Sequence, residues 1–414
     1  MSEWKEYKFS DIAEVIGGGT PDTFNVSYWN GDIPWLTPKD LTGYSKIYIS
    51  KGERNITSDG LKNSSAKLLP KDTVLLTTRA PIGYVAIAEN EIATNQGFKN
   101  FVLKKDYADC KFVYYWLKNN IDYLRSIGTG TTFAEISGSV VKEIKILLPP
   151  LSEQKSIASI LSSLDDKIDL LHRQNATLEK MAETLFRQWF VERRPEPVEG
   201  KAKEEWEEET FEKWIHETVG GDWGKESIKG DFTKAVCCLR GTDIADLNNG
   251  LPNKTPIRFI KENKYQSICP NDGDLIIEVS GGTENQSTGR ICYINNQVKT
   301  LFNYPLVFSN FCRMIRIKKP EYSFFVYCYI QYLYNQDEFF NLENGSSGIK
   351  NLDYKTLLFD LKYKMPDEDS VIKFHNHVKS LFQKVNQNKI QIRTLSTLRD
   401  TLLPKLMSGE VRVL

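Results

Sequence analysis

Apolar residues recur every seven positions from Ser152 to Val191, and this spacing predicts one long helix. Ile157, Leu164, Leu171, Leu178 and Leu185 occupy one seam position, and Leu161, Ile168, Asn175, Ala182 and Trp189 the other. Such a repeat is the a/d seam of a coiled coil. The pattern returns near the C-terminus at a constant offset and without a gap. Phe374, Leu381, Asn388, Leu395 and Leu402 repeat the first set; Val378, Val385, Ile392, Arg399 and Leu406 repeat the second. Pro149 maps onto Pro366 in the same register. A repeat this long predicts two similar halves, each a globular segment followed by a seam helix.

Each seam holds one asparagine, which costs stability but fixes register. In a parallel pair Asn175 would face Ile392 and Asn388 would face Leu171, stranding both amides against aliphatic carbon. An antiparallel pair with Asn175 opposite Asn388 sets Leu171 on Ile392, Ile168 on Leu395, Leu178 on Val385 and Leu185 on Val378. Its ends match Ile157 with Leu406 and Trp189 with Phe374. The expected core is therefore Leu164, Leu171, Asn175, Leu178, Leu381, Asn388, Ile392 and Leu395. One position fits poorly: Leu164 meets Arg399, which is expected to snorkel to water. Pro404 is expected to kink or end the second helix.

Residues 1–150 alternate in the way short strands do. Strands are expected over Trp4–Ile16, Ile33–Leu36, Thr73–Thr78, Tyr84–Ala88, Asn95–Leu103 and Glu143–Leu148. Phe112–Leu124, with aromatics at helical spacing, predicts a helix. Loops or turns are expected at 17–21, 37–41, 79–83 and 128–132. Pro149-Pro150 closes the domain, with Ser152 as the expected N-cap of the seam helix. The helix region covers 151–192. Residues 193–228 are read as an exposed linker and lead-in, from the charged, Pro-rich Glu192–Gly200 run through the acidic stretch to Glu209. A second domain over 229–366 repeats the first loosely, and 367–414 carries the second helix. Cys238–Ile244 resembles Trp35–Leu41, Ile268–Ile276 resembles Leu68–Leu76, Val307–Phe311 resembles Ala93–Phe98, and Ser346–Leu352 resembles Gly130–Ile136. Ser280-Gly281-Gly282 stands where Arg79-Ala80-Pro81 stood. Matching frames with differing loops suit one scaffold presenting two recognition surfaces; simple duplication with drift is the alternative.

Composition narrows the chemistry. The 414 residues are 40% hydrophobic and 26% charged, with a formal net charge of zero, so a nucleic-acid site must be a local patch. No apolar run is long enough to span a bilayer, so no membrane association is expected. Seven scattered cysteines without C-x-x-C suggest reduced thiols in a cytoplasm. No phosphate loop, G-x-G-x-x-G after a strand, or H-E-x-x-H occurs. His375 and His377 point to different faces of a helix, and a metal shared between them is not expected. Pro21-Asp22 with Glu143-Ile144-Lys145 has the letters of a nuclease site at the wrong separation. Cys110 has no histidine nearby and reads as a core thiol. No catalytic residue and no metal ligand is therefore assigned. Basic and polar residues do gather at predicted turns: Lys39, Tyr44, Lys46, Arg79 and Lys99, then Arg240, Lys254, Arg258, Lys261, Lys264 and Arg290. Arginine bridges guanine and lysine neutralises phosphate, although each such side chain taken singly is most often just solvated.

Several segments together resemble the DNA specificity subunit of type I restriction–modification systems. They are Thr78–Ile87 with Thr94–Phe98, Leu148–Gln154, Leu185–Phe190 and Leu402–Glu410. The resemblance covers essentially the whole chain. It implies an α+β fold: two mixed α/β target-recognition domains separated by two long antiparallel coiled-coil helices, with a pseudo-twofold internal repeat. It also implies a non-catalytic chain that reads a bipartite double-stranded DNA target and docks methylation subunits, two of them, and restriction subunits. S-adenosylmethionine, ATP and magnesium would sit on those partners, and no cofactor on this chain. The second domain lacks Arg79-Ala80-Pro81, so contacts carry over to it less directly. A helix of about 40 residues spans roughly 60 Å. Half-sites one DNA turn apart lie about 34 Å apart, within reach of domains at opposite ends of such a pair. The competing readings are a coiled-coil protein–protein adaptor without direct DNA readout, and a stand-alone nuclease or methyltransferase, which the missing motifs disfavour.

Overall fold

The computed structural model describes residues 4–130, 134–192, 206–283, 285–345 and 350–413. The expected linker run at 193–205, the Thr131–Thr132 part of the small-residue loop, and Ser346–Ile349 lie outside them. Two compact units emerge. One comprises 1–169 with 395–414, the other 170–394, so each takes part of both long helices.

The first unit is built on a five-stranded sheet in the order Ala13–Gly17, Phe98–Leu103, Val74–Thr78, Ile82–Ala88, Tyr48–Ile49. A three-stranded sheet beside it places Trp29–Leu36 between Arg54–Ile56 and Ala93–Thr94, the latter pair parallel. The helix expected over 112–124 divides at Asn120 into Cys110–Asn119 and Ile121–Ser126. Its first part is capped by the Asp109 carboxylate, which accepts from the Phe112 amide at 3.0 Å. The Trp4–Ile16 segment is not one strand. Lys5–Lys8 pairs with Lys145–Leu148, a helical turn covers Phe9–Ile12, and Ala13–Gly17 joins the main sheet. The interruption follows from burial of Phe9 and Ile12 three residues apart, a helical spacing, with the Lys8 amide capped by Asp11 at 2.8 Å.

The second unit repeats this plan. Its four-stranded sheet runs Ile215–Gly220, Cys312–Ile317, Leu275–Glu278, Ile291–Tyr293. Its three-stranded sheet sets Lys234–Leu239 between Ile257–Ile260 and, in parallel, Leu306–Phe308. Glu208–Glu209 pairs with Tyr363–Lys364 as Lys5–Lys8 pairs with Lys145–Leu148. The domain boundary expected at 229 is thereby corrected. Ile215–Gly220 is an edge strand of the main sheet and belongs to the domain rather than to a lead-in.

The first long helix runs Leu151–Phe186 and continues as a wider turn over Arg187–Val191; the second runs Glu368–Ser408. One sequence expectation changes here and another narrows. Ser152 is not the N-cap, because helical structure already begins at Leu151, straight after Pro149-Pro150. Pro404 does not end the second helix, which continues through it to Ser408.

Pairing is antiparallel in each unit. In the second, Asn388 Nδ2 donates to Asn175 Oδ1 at 2.8 Å, and Trp189 packs on Phe374 with ring centroids 6.0 Å apart. In the first, Arg399 Nη1 donates to Asp165 Oδ1 at 2.7 Å and Arg412 grips Glu153 through two bonds of 2.6 and 2.7 Å. Leu171, Asn175, Asn388 and Ile392 are buried; Leu164, Leu178, Leu381 and Leu395 are half-buried. Arg399 does not snorkel to water: it turns to Asp165 and to Asp400.

The asparagine pair predicts a measurable asymmetry. Asn175→Leu alone strands the Asn388 amide and should cost about 1–3 kcal/mol, while the double change to leucine should recover most of it. Thermal unfolding of the full chain checks this. Equal melting of wild type and the single variant would show that the pair contributes nothing.

Candidate nucleic-acid interface

One end of the first main sheet gathers three chain turns. The strand Ala13–Gly17 leaves into Gly18–Thr20, Val74–Thr78 into Arg79–Pro81, and Phe98–Leu103 begins after Asn95–Gly97. Gly18 is required here, since a Cβ would lie 2.0 Å from the Asn95 carbonyl. The Gly19 amide donates to Thr94 O at 2.8 Å, and the Trp35 indole donates to Gly19 O at 2.9 Å. Thr20 hydrogen-bonds Gln96 across the gap between the two loops. Gly97 O accepts from the Thr78 amide at 2.8 Å, and Thr78 O accepts from Ile136 at 3.0 Å, which adds 134–136 to the rim.

Glu135 holds this rim's two predicted cations, Arg79 at 3.7 Å and Lys99 at 3.9 Å. Pairs this long and partly exposed are weak and can open toward a stronger anion. Lys39 lies on the neighbouring turn, whose Pro38 abuts Gly97, and its exposed ammonium meets Glu53 at 3.0 Å. Tyr44 and Lys46 sit elsewhere. Tyr44 packs on a core cluster and donates to Tyr48 O, and burial pushes its phenol above the ordinary value. Lys46 reaches Asp169 of the first long helix at 3.9 Å. A residue not singled out from sequence also stands out. Phe24 is 94% exposed on a loop fixed by two turns, with Asp22 accepting from the Phe24 amide at 2.9 Å and Asn25 from Ser27 at 3.1 Å.

In the second domain the predicted arginines are largely committed to the fold. Arg290 clasps Glu278, which is 1% exposed, through bonds of 2.9 and 2.5 Å. Gly241 and Gly281 crowd that carboxylate so closely that a Cβ on either would lie 2.4 Å from its oxygen. A buried carboxylate needs such a partner. Arg240 clasps Asp243 at 2.9 and 2.7 Å and donates to Lys254 O at 3.0 Å. Arg258 lies buried over the Trp223 ring at 3.9 Å and meets Glu226 at 2.9 Å. Lys254 is exposed, 3.9 Å from Asp246; Lys261 meets Asp231 at 3.3 Å; Lys264 is half-buried on the helix Glu262–Ile268.

The reactive side-chain types named from the sequence have structural surroundings. Burial pushes the Cys110 thiol up to about 11, away from thiolate. His375 stacks on Phe324, while His377 meets the edge of Trp189. Glu143 pairs with Lys8 and Lys145 with Glu6. Among the described residues no group of histidine, cysteine and carboxylate side chains is arranged to hold a metal. Nor is any helix among them long and apolar enough to cross a membrane.

Duplicated α+β domains, each packed with part of a long-helix pair and presenting strand ends and loops along one sheet edge, define a modular two-domain scaffold. A family model, the type I restriction modification DNA specificity domain, matches residues 1–180. The chain is 35% identical over 431 residues to the type I restriction enzyme MjaIX specificity subunit of Methanocaldococcus jannaschii, covering 99% of this chain and 94% of that one. It is 23% identical over 494 residues to the HindI specificity subunit of Haemophilus influenzae, covering 99% and 100%. The crystal structure of a type I restriction–modification S subunit from M. genitalium shares the fold, with a TM-score of 0.57 at 18% identity over 97% of this chain and 96% of that one. The chain belongs to the specificity subunits of type I restriction enzymes.

Proposed function

We propose that this specificity subunit reads a split double-stranded DNA sequence, one half with each domain, and carries no catalysis itself. Two methylation subunits dock on it, restriction subunits join that core, and S-adenosylmethionine, ATP and magnesium bind to those partners. The observation that carries this reading is the repeated rim. The same strand ends recur in both domains, while the side chains between them differ: Arg79-Ala80-Pro81 in one, Ser280-Gly281-Gly282 in the other. A common frame with different loops is what reading two unlike half-sites requires.

Methylation mapping of host DNA, with and without this gene and its methylation partner, tests the proposal. The expected result is a motif of two short defined parts separated by a fixed undefined gap. Unchanged methylation would favour the adaptor reading. The two differ again in salt. Binding of the reconstituted complex to DNA should weaken linearly in log–log form, with a slope of roughly −0.9 per phosphate neutralised. A flat salt response would remove direct DNA readout.

A further inference from the structure

The register of the two sheets matches several rim residues of the first domain to residues of the second. Lys99 pairs with Gly17 on one side and Leu76 on the other. Arg313 pairs with Gly220 and Ile277 in the same places. Beyond them, Thr78 O accepts from Ile136, and Val279 O accepts from Leu352 at 3.0 Å. Arg79 bridges to Glu135 as Ser280 pairs with Asn351. Arg313 is therefore the counterpart of Lys99, and the neutral Asn351 stands where Glu135 holds the first domain's cations.

Among the described residues that exchange leaves one arginine of the domain without a carboxylate. The second domain has five arginines, Arg240, Arg258, Arg290, Arg313 and Arg316. Four have carboxylate partners: Asp243, Glu226, Glu278, and for Arg316 both Glu217 and Asp274. Arg313 has none within ion-pair reach among the described residues. Its guanidinium lies 4.7 Å from the Tyr354 ring centroid, and its Nε is buried without a hydrogen-bond acceptor. The half-buried side chain is thus held by stacking and strand position, with no carboxylate of the described residues paired to it. A planar fork fixed in this way has lost its freedom before any ligand arrives, and it matches a pair of acceptors.

We infer that Arg313, backed by Tyr354 and freed by Asn351, is a DNA contact of the second domain, donating to two acceptors on phosphate or on a guanine edge. This rests on the DNA-reading function proposed above.

The test uses the full chain assembled with its methylation subunits on DNA carrying the mapped split site. Arg313→Ala should weaken binding about tenfold or more, the scale of one bidentate contact. Asn351→Glu changes an exposed residue and restores the carboxylate that the first domain has. It should weaken binding in the same direction. A guanine contact predicts that Arg313→Ala erases discrimination at one base pair in one half of the motif, leaving the other half intact. A phosphate contact predicts an equal loss on all sequences and a salt slope shallower by about one. Arg313→Lys should rescue the phosphate case and not the guanine case. Unchanged affinity in both Arg313→Ala and Asn351→Glu, with the wild-type complex binding its site, would overturn the inference alone. No site-dependent binding by the wild-type complex would bring down the functional reading and this inference with it.

Discussion

Replacing Asp165 with leucine should lower the melting temperature of the protein by roughly 6–12 °C. That shift corresponds to about 3 kcal/mol in a unit of this size. Asp165 sits on the first long helix and takes two bonds from different elements. Arg399 Nη1 donates from the second helix at 2.7 Å, and the Tyr115 hydroxyl donates from the first domain at 2.7 Å. Burial, and then the Asp165 charge, push the Tyr115 phenol far above its ordinary value, so it remains a donor at any working pH. Leucine at 165 would leave a half-buried guanidinium and a buried phenol without their shared acceptor. The cost lies near the low end for breaking a buried pair, because Arg399 keeps Asp400 at 2.8 and 2.9 Å. The combined change Asp165→Leu, Arg399→Leu and Tyr115→Phe should recover most of the loss, since an apolar seam needs no such partners. A single variant that melts with the wild type would show the network to be energetically silent.

Arg399 also marks where sequence reasoning stops. The seam was legible because a seven-residue period survives whatever packs around it, and its direction was legible because two asparagines cannot both be satisfied in a parallel register. The destination of Arg399 depended on Asp165, one position along from the leucine it was matched against. Seam bookkeeping follows core positions and does not see such a neighbour. The same limit explains the second domain's arginines. Arg290 looks available in sequence, but Glu278 lies in the run Leu275–Glu278, every residue of which is buried. A carboxylate buried in a central strand commits a distant cation, and nothing local in sequence announces it. Arg313 is the opposite case. It lies in Cys312–Ile317, which reads as an ordinary half-buried strand, and only strand register makes it the counterpart of Lys99. Arg79 and Lys99 were legible as cations near turns. That they share Glu135, and that Tyr44 and Lys46 do not join them, required the fold.

Removing residues 166–172 together with 391–397 should abolish methylation of the natural split site and move activity toward a site with a shorter gap. The first helix has 36 residues and the second 41. Seven residues fewer shorten each by about 10 Å. On DNA that is about three base pairs at 3.4 Å each. The segments chosen are antiparallel partners in the observed register. Asn175 still meets Asn388, and Asp165 still meets Arg399, so the seam closes again after the cut. Seven residues are almost two full helical turns, so seam faces shift by only about 20°. The cut does remove Arg393, whose two bonds to Thr300 O and Asn303 Oδ1, both 2.6 Å, tie the second helix to its domain. Retained folding must therefore be shown by melting before methylation is read. Three base pairs also turn the DNA by roughly 100°, so the shortened site should be methylated less efficiently than the natural site is by the intact protein. Deleting only one of the two segments slides every seam pair beyond the cut and should prevent folding. A folded double deletion that still methylates the natural site, gap unchanged, would show that helix length does not set the distance between the two halves of the target.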